Sequence, residues 1–246
     1  PMIKDLLIIA AGKGTRLKDK GDIKPLVEVA GKTLIERILH TAFSVGISRA
    51  TVVIGYKSQV LEPYLQSLSE DYGWPIKTVF NPQFEQPNGL SVAAARPYLT
   101  GDFVLTMCDH ILDEMLLQRL LSHSLQPGQV ALGVDTRLNN PMVDLEDVTK
   151  VQKAGSHIRD IGKHLTHYNA FDTGAFLASP ALFDAIEQSG KTHSDYSISG
   201  GMKILAQNNS AIAVDIGDAL WIDVDSPEMH TLAEQVLQDK PHAAAR

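Results

Sequence analysis

Cysteine is nearly missing from this chain: Cys108 stands alone among 246 residues, which excludes an intrachain disulfide framework and is the usage expected of a reducing cytoplasm. Aromatic residues make up 6% of the sequence. No apolar run approaches the roughly 20 residues of a membrane-spanning helix. The apolar stretch near the start is about half a dozen residues long and is needed as a strand, so it does not read as a secretory signal. Cations are in deficit, with 22 Lys and Arg against 29 Asp and Glu for a net charge of -7. A broad basic face for a nucleic-acid backbone is therefore excluded. There is no internal repeat and no low-complexity tract. What remains is a 44% hydrophobic chain long enough to bury one large core, or a core with a small appended subdomain.

The positive charge that is present is local. Leu6-Leu7-Ile8-Ile9-Ala10-Ala11-Gly12-Lys13-Gly14-Thr15-Arg16-Leu17 is followed by Lys24-Pro25-Leu26. A short β-branched apolar run has the pattern of a first strand buried in a parallel sheet. It enters a loop where Gly12 and Gly14 let backbone N–H groups approach an anion, and where Lys13, Arg16 and Lys24 can neutralise phosphate charge. The dinucleotide fingerprint is excluded, because Leu17 occupies the place of its third glycine. Gly31-Lys32-Thr33 imitates the end of a Walker loop, but Leu26 stands five residues before Gly31 and no apolar strand leads directly into a glycine loop there. That stretch reads as a turn and a helix start.

Apolar strands alternate with amphipathic helices, the sequence form of a parallel α/β sheet. Strands are expected over 5–10, 50–54, 76–80 and 102–107, with helices over 33–45, 58–68, 90–95 and 113–123. After a strand over 129–134 the segments become shorter and β-like, at 148–153, 157–161 and 170–177, and read as mixed strands building a substrate lid. Helices over 180–187 and 197–207, a strand over 211–215, a segment over 221–225 and a helix over 227–237 complete the pattern. Residues 1–238 are expected to form one domain, with a nucleotide half over about 1–130 and an acceptor half over 131–238. Residues 239–246 read as a tail or linker, and Pro1 before Met2 as an expression remnant.

Two further segments carry chemistry. Val104-Leu105-Thr106-Met107-Cys108-Asp109-His110 ends a strand in a carboxylate at the sheet edge where open α/β folds bind ligands. Asp109 is either a metal ligand or the cap of the next helix, and His110 either touches a substrate oxygen or satisfies backbone. Mg²⁺ needs one or two carboxylates beside phosphate and water. Trp221-Ile222-Asp223-Val224-Asp225 offers Asp223 and Asp225 on one strand face, with Asp225 alternatively capping the helix at Pro227. Asn88-Gly89-Leu90-Ser91 opens a helix with neutral hydrogen-bonding groups suited to a base edge, or with a plain cap.

The glycine loop, its Lys-Pro and these segments together resemble the nucleotidyltransferases that make nucleoside-diphosphate sugars and alcohols. Asp147-Val148-Thr149-Lys150-Val151, Ile161-Gly162-Lys163, Asn169-Ala170-Phe171-Asp172-Thr173-Gly174 and the Trp221–Asp225 segment bring the resemblance, over nearly the whole chain, closest to the inositol-1-phosphate cytidylyltransferases. The resemblance implies a Rossmann-like, mostly parallel mixed sheet with a small β-rich acceptor lid. It implies that Ala10, Ala11, Gly12, Lys13, Gly14, Thr15, Asn88, Gly89, Ser91 and Asp109 bind the nucleotide, and that Arg16, Lys24 and Lys163 are catalytic. His110, Lys150, Asp172 and Thr173 would contact the acceptor, and Asp109 and Asp223 would hold Mg²⁺. The implied substrates are CTP and a phosphorylated polyol or alcohol, in the cytoplasm. A homodimer is common among such relatives, and in some members the domain is fused to a membrane CDP-alcohol phosphotransferase. Phosphocholine, an aminoalkyl phosphonate, or a hexose 1-phosphate with UTP, GTP or ATP remain open as substrates. A nucleotide-sensing regulatory subunit is the non-enzymatic alternative.

Overall fold

The computed structural model describes residues 2–239. The proposed tail beyond 239 and Pro1 lie outside the described residues. Strand β1 (Asp5–Ala10) is the centre of the first half, followed by the short hairpin β2 (Glu28–Val29) and β3 (Lys32–Thr33), helix α1 (Leu34–Ser44), β4 (Arg49–Ile54), α2 (Ser58–Tyr72), β5 (Ile76–Phe80), α3 (Gly89–Ala94), β6 (Phe103–Met107), β7 (His110–Leu112) and α4 (Glu114–Leu121). The second half continues with β8 (Val130–Asp135), β9 (Lys150–Ala154), β10 (His157–Gly162), β11 (Ala170–Ala178), α5 (Ala181–His193), α6 (Ile198–Gln207), β12 (Ala211–Asp215), β13 (Trp221–Asp223) and α7 (Pro227–Asp239).

Nine strands form one sheet in the order β5-β4-β1-β6-β11-β8-β12-β10-β9. The first four are parallel to one another. Antiparallel β11 then lies between β6 and β8, so the β-rich second half extends the same sheet. The period-two pattern of β1 explains the layering. Leu6, Ile8 and Ala10 pack on one face with Ile35 and Leu39 of α1, Leu61 and Leu65 of α2, and Leu116 and Leu120 of α4. Leu7 and Ile9 pack on the other face with Val92 of α3, Phe183 and Ile186 of α5, and Met202 of α6. Both faces are thus covered, which is why β1 reads as an unbroken apolar run. No helix among the described residues is long and apolar enough to cross a membrane.

Local signals set most boundaries. Thr33 caps α1 by accepting from the Glu36 N–H at 3.2 Å, the T-x-x-E start of a capping box. Gly73, at φ 70°, ends α2 in the left-handed region where a Cβ is unfavourable. Several expectations move, among them the helix read over 58–68, which runs on to Tyr72. The helix read over 180–187 runs to His193, because Gly190 does not stop it; an added Cβ there would fall 2.0 Å from the Tyr196 ring, so the missing side chain makes room for a neighbour. The segment read over 221–225 is extended only to Asp223. Its partner β7, not anticipated from the sequence, pairs with it antiparallel outside the main sheet.

Candidate active site

β1 and β6 run parallel in register, so the glycine loop and Asp109 leave the sheet at the same edge. The Cys108 N–H donates to the Ile9 carbonyl at 3.3 Å and continues the ladder one residue past β6. Val224 N–H donates to the Asp109 carbonyl at 2.9 Å, which brings the Asp223–Asp225 segment to the same point. Gly14 lies at φ +61°, and an added Cβ would meet Lys24 Cβ and Cδ at 2.6 Å. Glycine there both permits the turn and leaves room for the lysine stem. Pro25 is buried in a one-turn 3₁₀ helix over Lys24–Leu26, where its ring locks its own φ.

The loop cations meet the carboxylates directly. The Lys24 ammonium, with its side chain 12% exposed, lies 2.8 Å from Asp109 and also pairs with Asp225. Arg16 pairs with Asp225 and lies 2.6 Å from Asp147, and Lys163 reaches the same Asp147 oxygen at 2.8 Å. Burial pulls the Lys24 ammonium down, but Asp109 and Asp225 outweigh it and hold Lys24 above its ordinary value. Burial pushes the Asp225 carboxyl up to about 6 despite Lys24. Burial works the same way on Asp147, yet its hydrogen bonds to Asp225, Lys163 and Arg16 hold it well below the carboxylate range. Of this pair, Asp225 takes up a proton before Asp147 as pH falls.

His110 joins the cluster from the strand side. Its Nδ1 lies 2.8 Å from the Thr173 carbonyl, and its Nε2 lies 3.6 Å from Asp109 and 3.4 Å from Asp223. Burial opposes charge on the ring, but Asp223 and Asp109 win and raise it to about 10. Gly174 makes room for this ring, since an added Cβ would sit 2.2 Å from it. The register of β11 on β8 shifts between Asp172 and Phe176, as a bulge does. Asp172, Gly174 and Phe176 there line one small cavity with His110, Asp223 and Asp225. Asp172 accepts from the Gly174 N–H at 2.7 Å, and burial pushes its carboxyl up to about 6.

The carboxylates suit a hard cation. One ligand atom each from Asp109, His110 and Asp223, and likewise from Asp147, Asp223 and Asp225, lies within 4.8 Å of the others in its group. Asp223 Oδ1 is buried and, with only the His110 Nε2 at 3.4 Å facing it, makes no hydrogen bond within the described residues, so it keeps capacity for a further ligand. Asp109 and Asp223, the ligands expected from the sequence, come together; Asp225 and Asp147 stand beside them. Asp147 had no role assigned, although its acidic neighbourhood 144–147 between two apolar segments was a visible signal.

Other sequence candidates fall in different places. Lys150 donates to the carbonyls of Leu145, Val148 and Lys163 at 2.9, 3.2 and 2.9 Å. Those bonds fully occupy its ammonium, so it braces the Lys163 turn rather than facing the acceptor. Thr173 is fully buried and donates to the Gly133 carbonyl at 2.7 Å, away from the cavity. Ser91 pairs with Asn81 Nδ2 at 2.9 Å, and a Cβ on Gly89 would strike the Tyr196 carbonyl oxygen at 2.1 Å. Both are packing positions of α3. Asn88 lines the cavity, with its Oδ1 taken by the Ile198 N–H at 2.9 Å. Lys13 reaches Glu85 at 2.6 Å on the surface. Ala10 and Ala11 are buried beneath the loop, while Gly12 has open space around it and Thr15 begins the exposed turn that presents Arg16.

Comparison with known proteins agrees with this construction. The family model described as the MobA-like NTP transferase domain matches residues 6–211. The chain is 34% identical to the "Bifunctional IPC transferase and DIPP synthase" of Rubrobacter xylanophilus, over 94% of this chain and 51% of that protein. It is 30% identical to the protein of the same name from Thermococcus kodakarensis, over 94% and 50%. The chain therefore spans about half the length of these relatives. The solved structure of the inositol-1-phosphate CTP transferase from T. maritima superposes with a TM-score of 0.84 at 24% identity, over 98% of this chain and 99% of that one. That likeness gives the fold, which is the nucleotide-diphospho-sugar transferase fold. With its glycine loop, Asp109 and Asp147 all in the matched region, the chain belongs to the MobA-like NTP transferase family.

Proposed function

We propose that this chain is a cytoplasmic CTP:inositol-1-phosphate cytidylyltransferase, one domain over 1–238 that forms CDP-inositol and pyrophosphate. The observation that carries the proposal is the meeting of Arg16, Lys24 and Lys163 with Asp109, Asp147, Asp223 and Asp225 at one sheet edge, next to a cavity walled by Asp172 and Asp144. The names of the Rubrobacter relative and of the T. maritima structure support the choice of acceptor and base.

The reaction is an in-line displacement. A phosphate oxygen of inositol 1-phosphate, already anionic, bonds to the α-phosphorus of CTP as the bond to the β-phosphate bridging oxygen breaks, so no general base is needed. Charge repulsion and alignment make the barrier. The glycine loop cradles the triphosphate, and Arg16 and Lys24 exchange their carboxylate partners for the β- and γ-phosphates, the leaving group. Lys163, held at the cavity rim by Asp147, receives the acceptor phosphate. Asp172 and Asp144 present oxygens to the hydroxyls of a polyol. Asp109 and Asp223, with Asp225 beside them, would hold Mg²⁺, which when bound neutralises charge on the phosphates. A homodimer is the proposed assembly, and a membrane CDP-alcohol phosphotransferase, fused or separate, the proposed consumer of the product.

The test is pyrophosphate release from CTP, UTP, GTP or ATP with Mg²⁺ and each of inositol 1-phosphate, phosphocholine, an aminoalkyl phosphonate and hexose 1-phosphates. CTP with inositol 1-phosphate is expected to give the highest kcat/KM, and Asp109→Asn to lose on the order of 10²- to 10³-fold in turnover with its fold intact. No pyrophosphate from CTP with any acceptor overturns the proposal.

A further inference from the structure

Two walls of the acceptor cavity meet on a single buried carboxylate that touches neither the cavity nor the carboxylate cluster. Asp135 ends β8 and has no exposed surface. Its Oδ1 accepts from the Arg137 backbone N–H at 2.9 Å and from Arg137 Nε at 2.8 Å. Its Oδ2 accepts from Asn140 Nδ2 at 2.8 Å, Trp221 Nε1 at 2.9 Å and Arg137 Nη2 at 3.3 Å. Both oxygens are thus saturated by donors from two separate segments.

One segment is 136–149, which contains no helix or strand between β8 and β9. It supplies Met142, Val143, Asp144 and Asp147 to the cavity, and no ladder of backbone bonds shapes it. Asn140 transmits the anchor, since its Oδ1 accepts from the Met142 N–H at 2.9 Å and its carbonyl from the Val143 N–H at 3.2 Å. The other segment leads to the carboxylate cluster: Arg137 Nη2 donates to the Ala219 carbonyl at 2.7 Å, and Trp221 lies two residues before Asp223 on β13. Burial raises the cost of the charge on Asp135, but the bonds from Arg137, Trp221 and Asn140 outweigh it and keep the carboxyl below its ordinary value.

We propose that Asp135 is the positioning residue of the acceptor subsite, fixing the 136–149 wall and Trp221 in one geometry so that the acceptor phosphate meets the nucleotide in line. The inference rests on the cytidylyltransferase reading. Asp135 touches no ligand; it acts through Asn140, Arg137 and Trp221. Asp135→Asn preserves shape but turns one acceptor oxygen into an N–H₂ group facing donors, so at least one wall must move.

The test is steady-state kinetics of Asp135→Asn and Asn140→Ala, with hydrogen exchange on the same proteins. Asp135→Asn is expected to raise the acceptor KM by about tenfold or more while the CTP KM stays within about twofold, with Asn140→Ala showing the same split more weakly. Exchange should accelerate in 136–149 and not in β1 or β6. Unchanged constants, or equal rises in both KM values, overturn the proposal. If Asp135→Asn does not fold, the split in Asn140→Ala decides alone. A wild-type protein inactive with every acceptor overturns the functional reading itself, whereas with an active wild type the KM split judges Asp135 separately.

Discussion

At the scale of the residue, the site is a set of charges whose partners determine what each can do. Lys24 and Arg16 rest on the same carboxylates that would hold a cation, so without ligand the clamp is kept in place by its own counter-ions. Asp172 is different, because burial outweighs both the Gly174 N–H and the charge of His110. Its folded carboxyl sits at about 6 against an ordinary 3.8, so the native state keeps a proton that the unfolded chain releases between those values. The stability tied to the neutral group is present below pH 4 and is lost as pH rises through 6. Asp172→Asn keeps an oxygen for the Gly174 N–H and removes the charge. It should leave stability nearly unchanged at pH 3.5 and add about 2 kcal/mol at pH 8, while weakening acceptor use. Urea unfolding at both pH values measures this; equal effects at the two would mean the carboxyl is not held neutral by burial.

At the scale of the element, close approaches matter more than propensity. The Asn88-Gly89 turn reads in the sequence as a base-binding corner, and in the fold it is also where α3 meets the segment before α6. Asn88 Oδ1 holds the Ile198 N–H, and Gly89 faces the Tyr196 backbone carbonyl with no room for a methyl group. A backbone carbonyl cannot swing aside as a side-chain end can. Gly89→Ala should therefore cost about 2–3 kcal/mol of stability, as overpacking in a buried contact does. Denaturant midpoints with an unchanged m-value would report it. A variant as stable as the parent that has lost CTP affinity would return Gly89 to the nucleotide. The turn is legible as a helix start because Pro87, Asn88 and Gly89 are local; its packing role is not, because Tyr196 is more than a hundred residues away.

At the scale of the whole molecule, one sheet carries both the glycine loop and the acceptor wall, so ligand and cation should stabilise them together. Mg²⁺ with CTP should raise the unfolding midpoint more than the two separate shifts combined, with about 2.7 kcal/mol expected at a hundredfold excess over Kd. Differential scanning fluorimetry with Mg²⁺, CTP, both, and both plus EDTA tests this; additive shifts would mean the carboxylates and loop cations do not share one site. The sequence by itself determined the strand-loop signature with Arg16 and Lys24 and the sheet class, because these depend on periodicity and on residues set at strand ends; the family resemblance singled out Asp109 and Asp223 as ligands rather than caps. Only the tertiary structure decided that Asp147 and Asp225 join them, that Lys150 and Thr173 bind backbone, and that Asp135 anchors two cavity walls. Those roles come from contacts across long separations in sequence, such as Asp135 with Trp221, and an irregular segment like 136–149 has no period from which its side-chain directions could be read.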